Sequence, residues 1–159
     1  MNIEEFKGSF DQMARTNRFR VSGFGLPADT EFMVKAATIP STTINPIDIP
    51  YSGRKIKIAG DPNYESWVFT AYNPTHFGLY DAVTDWKNSI NSPVENVGVN
   101  PAGYKRDGII EVLDNQNNVL KTIQIVGGWP SVIGEITLDW EAEDEIQTFE
   151  VTLEYDYHL

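Results

Sequence analysis

A mainly β domain is predicted: two packed antiparallel sheets, as a sandwich or partly closed barrel, with one flanking α-helix and one long protruding hairpin. Three observations carry this. Several runs alternate apolar and polar residues, turn residues recur roughly every eight to twelve positions, and only one stretch shows a convincing 3.6-residue period. The clearest alternation closes the chain, with Phe149, Val151, Leu153, Tyr155 and Tyr157 on one face and Thr148, Glu150, Thr152, Glu154 and Asp156 on the other. At 159 residues the chain is long enough for one real core and short for two. Residues 1–159 are therefore read as a single domain, with an N-terminal arm over 1–17 and the hairpin over 45–61.

From Asn2 to Ala14, Ile3, Phe6, Phe10 and Met13 recur at helical spacing, and Asn2 with Glu5 fits a capping box. Gly8 weakens that helix, so the arm is expected to order against another surface. Arg18 to Ser22 alternates and is expected to pair, across the turn Gly25-Leu26-Pro27-Ala28-Asp29, with a strand around Phe32, Val34 and Ala36. Pro40, Pro46 and Pro50 then interrupt regular structure. Even so, Ile47, Ile49 and Tyr51 alternate before Ser52-Gly53, and Ile56 and Ile58 after it. With Arg54, Lys55 and Lys57 beside them, they form a hairpin with one charged face and too little apolar content to stand alone.

Ser66 to Tyr72 is apolar on nearly both sides, centred on Trp67, and is expected to be buried on two faces. The single confident helix is expected from about Thr75 to Ile90. Asn73 is placed to cap it and Pro74 to occupy its first position. Leu79, Val83, Trp86 and Ile90 form its stripe, broadened by Tyr80. After a loop rich in Asn, Pro and Gly come strands over Ile109 to Leu113 and Val119 to Val126, joined through Asp114-Asn115-Gln116-Asn117-Asn118. A further strand is expected where Ile136, Leu138 and Trp140 alternate with Glu135, Thr137 and Asp139. The expected core comprises Trp67, Leu79, Val83, Trp86, Ile90, Phe149, Val151 and Leu153.

Lys and Arg number 12 against 23 Asp and Glu, a formal net charge of -11, and nine of the carboxylates follow Lys121, after which no Lys or Arg occurs. Such a surface repels nucleic acid and anionic lipid, and sequence-specific DNA binding is not expected. With no cysteine, a disulfide framework, a thiolate nucleophile and Cys metal sites are all excluded. No apolar run approaches the ~20 residues that span a bilayer. The N-terminus is acidic where a secretory signal would be basic, so synthesis in the cytoplasm without membrane insertion is expected.

Chemistry has no evident seat. His76 and His158 are the only histidines and neither has a second ligand at metal spacing. Glu141, Glu143, Asp144 and Glu145 lack the calcium-loop pattern with its central glycine and read as a solvated acidic turn. The glycines form neither a phosphate-cradling loop nor a dinucleotide fingerprint, and no serine sits in a nucleophile elbow. No enzyme activity, catalytic residue, metal site or cofactor is expected. A basic hairpin and an acidic C-terminal third on one chain instead suit heterologous self-association.

Several segments together resemble the tail tube proteins of contractile-tailed bacteriophages. The strongest are Gly128-Trp129-Pro130, the run Gly134 to Trp140, and the run Glu145 to Tyr157. Lys35 to Pro40, Gly53 to Asp61, Asp85-Trp86 and Pro101 to Lys105 support them. The resemblance implies a virion protein of the inner tail tube, in which six copies close into a ring. Rings stack inside a contractile sheath, with baseplate and tube-terminator proteins at the ends, and double-stranded DNA passes through without sequence-specific binding. It also implies that the hairpin residues Ile47, Ile49, Tyr51, Arg54, Lys55, Ile56, Lys57 and Ile58 join neighbouring subunits. The same fold serves tube-end and baseplate adaptors and bacterial contractile injection systems, which stay open as alternatives. A monomeric ligand-binding β domain is a remote one. In a tube, the strand faces not given to the core are candidates for the channel wall, namely Glu135 and Asp139 on one and Glu150, Glu154 and Asp156 on the other. Packing of those faces against neighbours or sheath is the competing expectation.

Overall fold

A computed structural model describes residues 2–10 and 13–159. Its elements run α1 (Ile3–Phe10), β1 (Phe19–Gly23), α2 (Thr30–Met33), β2 (Val34–Ala37), β3 (Thr42–Tyr51), β4 (Arg54–Tyr64) and β5 (Trp67–Tyr72). They continue with α3 (Gly78–Ile90), α4 (Pro101–Tyr104), β6 (Arg106–Leu113), β7 (Val119–Ile133), β8 (Thr148–Glu154) and β9 (Tyr157–His158). Seven strands form one antiparallel sheet in the order β1-β6-β7-β8-β5-β2, with β9 also paired to β7, while β3 and β4 form a separate two-stranded ribbon. The large sheet does not close into a barrel.

The long strand β7 makes the architecture. Its first half pairs with β6 and β9 and its second half with β8, so one strand serves two sheet halves. Where sequence reading ended a strand at Gly127-Gly128, the chain instead bends and continues. Gly127 takes φ +72°, and a side chain there would strike Asp156. The backbone N–H of Gly127 is held by Asp107 Oδ1 at 2.9 Å.

Both halves and α3 feed one core. Val21, Ile110, Ile123 and Ile125 come from one half, Trp67, Phe69, Phe149, Val151 and Leu153 from the other, and Leu79, Val83 and Trp86 from the helix. Trp86 is buried, its indole N–H donating to Tyr104 O at 2.7 Å while the Arg106 guanidinium lies 4.9 Å from its ring centre. Trp67 donates to Thr38 O at 2.6 Å. Ile90, at the end of the helical stripe, is half-buried.

Four local expectations are corrected. β1 and β2 do not pair with each other and lie at opposite ends of the sheet, because β6 and β5 claim them. Phe32 is in the one-turn α2 and 72% exposed. Asn73 does not cap α3: its side-chain amide donates to Gln147 Oε1 and its N–H to Gln147 O, both at 2.9 Å. The helix therefore starts later, after Phe77 at φ +53°. Finally, β5 buries one face only, with Val68, Thr70 and Tyr72 half-buried on the other.

At the N-terminus the capping box is present, with Glu4 N donating to Asn2 Oδ1 at 3.3 Å and Asn2 N to Glu5 Oε2 at 3.4 Å. Asp11 and Gln12, which the expected helix would include, and Met1 of the arm lie outside the described residues. α1 buries nothing against the domain, and Ile3, Phe6 and Phe10 are exposed.

Candidate assembly surfaces

Among the described residues, the hairpin packs extensively only on itself. Ser52 and Gly53 take φ +44° and +78°, and positive φ at both central residues is the type I′ combination that matches strand twist. The register that follows sets Ile47 opposite Ile58 and Ile49 opposite Ile56 on one face, and Asp48 opposite Lys57 and Pro50 opposite Lys55 on the other. Arg54, opposite Tyr51, alternates onto the isoleucine face. All eight expected hairpin residues are exposed, the four isoleucines by 43% to 56%. Pro46, Pro50 and Pro62 remove backbone donors from the ribbon and so limit indiscriminate edge pairing.

Its root is fastened to the body. Glu65 N donates to Ser41 O at 3.2 Å, and Thr42 Oγ1 lies 2.9 Å from His158 Nε2. The Tyr64 ring meets those of Tyr155 and His158 at 6.2 and 5.3 Å. Tyr155 is buried, and desolvation, with Glu154 and Glu65 nearby, raises its phenol pKa. No local pattern in the sequence reveals that β9 returns beside the hairpin base and brings His158 there.

The five candidate channel acids separate into three environments. Glu150 and Glu154 lie on the non-core face of β8, Glu150 exposed and opposite Thr70, Glu154 half-buried and opposite Trp129. Asp156, beyond the end of β8, is neutralised by Lys105 Nζ at 2.7 Å. Glu135 and Asp139 are not on a strand. The expected strand from Glu135 to Trp140 is coil, because no neighbouring strand is available to pair with it, and Leu138 and Trp140 are fully or largely exposed. Tyr157 likewise leaves the face of β8 for β9 and is half exposed.

The histidines have structural contacts. His76 Nδ1 accepts from Gly78 N at 3.1 Å at the start of α3. Among the described residues no cluster of His, Asp or Glu is arranged to hold a metal ion. The acidic turn from Glu141 to Glu145 points into solvent. An open groove of about 670 Å³ is lined by Thr137 to Trp140, Ala142 and Glu145 to Thr148.

A β body with an apolar, basic ribbon extending from it is a subunit shape, and comparison identifies which. The family model described as phage tail tube protein matches residues 4–159. The chain belongs to that family. It is 34% identical to the tail tube protein of Enterobacteria phage T4 over 99% of each chain. Its fold is similar to a chain in the extended sheath–tube complex of an extracellular contractile injection system, with TM-score 0.71 and 18% identity, covering all of this chain and 97% of that one. A chain in the sheath and tube terminator of such a system gives TM-score 0.72 at 19% identity, covering 94% and 97%. This tail tube family member is thus a structural subunit, not an enzyme.

Proposed function

We propose that the chain is the main subunit of a phage tail tube in which six copies close into a ring and rings stack inside a contractile sheath. Double-stranded DNA passes through the tube, and baseplate and terminator proteins close its ends. The observation that carries this reading is the full-length identity to the T4 tail tube protein. The exposed hairpin supports it, since four isoleucines and three cations on a ribbon need a second surface. In this reading the hairpin joins neighbouring subunits and its cations meet their carboxylates.

Glu150 and Glu154 are proposed to line the channel. A basic wall would engage many phosphates at once and retain the duplex, whereas an acidic, threonine-flanked wall lets it slide. Asp156, already paired, contributes less, and Glu135 and Asp139 stand on the exposed loop that follows β7 instead.

A tube-end or baseplate adaptor is the second reading, favoured by the similar fold of the terminator chain. Electron microscopy of the purified protein separates them. A main subunit gives hollow tubes of stacked rings, and an adaptor gives isolated rings of six 17.9 kDa chains. A protein that stays monomeric at high concentration overturns both.

A further inference from the structure

We propose that the loop between Gly134 and Gln147 is the seat for the β3–β4 hairpin of a second copy, an inference that rests on the reading of the chain as a tube subunit. The loop is fastened at its ends, where Gly134 N donates to Glu150 O at 2.6 Å and Asn73 N to Gln147 O at 2.9 Å, and near its start Ile136 packs against the core. Between them the backbone contacts are local, Glu141 N to Asp139 Oδ1 at 2.9 Å and Ala142 N to Asp139 O at 3.3 Å. Its first half has the alternation of a strand but no strand beside it, and beyond Ile136 its large apolar residues face water: Leu138 is 77% exposed, Ile146 71% and Trp140 completely. These three, with Asp139 and Glu145, line the open groove.

Charge selects the occupant. The loop carries six carboxylates and no Lys or Arg, while the hairpin tip carries Arg54, Lys55 and Lys57. Among the described residues, none of these nine groups forms an ion pair within the chain. The apolar parts match too. A ribbon laid with its isoleucine face over Leu138, Trp140 and Ile146 brings Arg54, which shares that face, against Asp139 and Glu145. Hairpin and loop are different surfaces of one chain, so the contact is heterologous and repeats from copy to copy.

The chain has no cysteine and only one fully exposed tryptophan, so two experiments read the contact directly. In the unmodified protein, Trp140 is expected to be quenched by acrylamide in dissociated subunits and protected in pure tubes. Sheath is absent from those tubes and cannot provide the protection. R54C and D139C chains are then mixed, co-assembled and treated with a short bismaleimide. Covalent dimers joining one chain of each kind are expected only in the assembled material, with E145C as a second partner should D139C fail to fold. Intact tubes in which Trp140 stays fully quenchable overturn the proposal. Protection of Trp140 without linkage of R54C to either loop cysteine overturns it equally, because another segment then covers the loop. Absence of any ring or tube from the unmodified chain instead refutes the tube-subunit reading itself, and this inference falls with it.

Discussion

β8 and the β3–β4 ribbon are written in the same period-two code, yet the fold uses them oppositely. In β8, Phe149, Val151 and Leu153 are at most 2% exposed, because α3 and the facing strands close over them. In the ribbon, Ile47, Ile49, Ile56 and Ile58 alternate as regularly and remain about half exposed, because no other element shares an extensive contact with it. Alternation therefore specifies that a strand has an apolar face, and it leaves open which molecule covers that face. The body is stabilised from within the chain, whereas the ribbon has only its turn and register there, and in the proposed assembly a neighbouring copy covers it.

The largest effect that separates the two regions is expected in the body. Trp86→Ala removes a buried ring, its hydrogen bond to Tyr104 and its contact with Arg106, and should cost about 3–5 kcal/mol. Denaturant unfolding of the subunit reads this, and an unchanged midpoint would break the claim that α3 belongs to the core. The reverse pattern is expected from charge reversal in the ribbon. Lys55→Glu with Lys57→Glu should move subunit stability by no more than about 0.5 kcal/mol, since both side chains are exposed. It should sharply weaken assembly in sedimentation, and moderate salt should blunt the loss. A double variant that assembles like the parent would show that the ribbon's charges face solvent.

How far the comparison was legible beforehand follows from which interactions are local. The turn at Ser52-Gly53, the hairpin register and the stripe Leu79, Val83 and Trp86 depend on neighbours in sequence, and the residues alone carry them. The pairing of β1 with β6, Asn73 with Gln147 and His158 with Thr42 joins segments about 70 to 120 positions apart, and local chemistry pointed elsewhere. Asn73-Pro74 had the form of a helix cap, and the tertiary hydrogen bonds to Gln147 won. Leu138 and Trp140 had the form of a strand, and without a partner in the chain they form none. Of the site, the hairpin was readable because it is local, while the separation of Glu150 and Glu154 from Glu135, Asp139 and Asp156 required the topology.

A smaller effect concerns the outer face of β8. Glu150→Lys with Glu154→Lys alters that face and leaves Phe149, Val151 and Leu153 in place, so folding and assembly should persist. DNA release from particles built with the variant should slow at low salt and partly recover as salt rises, because each added cation engages phosphate through counterion release. Unaltered release kinetics in well-assembled particles would assign this face to a neighbour or to the sheath.

The smallest expected effect tests whether an exposed turn of the body contributes at all. Asp114 Oδ1 accepts from the backbone N–H of both Gln116 and Asn118 at 2.8 Å, which closes the β6–β7 turn around Asn117 at φ +63°. The Asn118 N–H is the main cause holding the Asp114 carboxyl below its ordinary value of 3.8, with Gln116 and, more weakly, Arg18 acting in the same direction against desolvation. A depressed folded-state value means that the ionised form is favoured by folding. The resulting stability is present above the unfolded pKa and is lost as pH falls through the lower folded one. Asp114→Asn keeps the acceptor oxygen but not the charge. Its denaturant midpoint should therefore lie slightly below the parent's near neutrality, and the two should converge as pH falls below 3.8. A gap that stays constant across that window would mean that geometry alone, and not the ionised carboxylate, holds the turn. The ribbon's turn provides the internal contrast, because Ser52-Gly53 has no carboxylate and its type I′ geometry should carry no acid dependence of this kind.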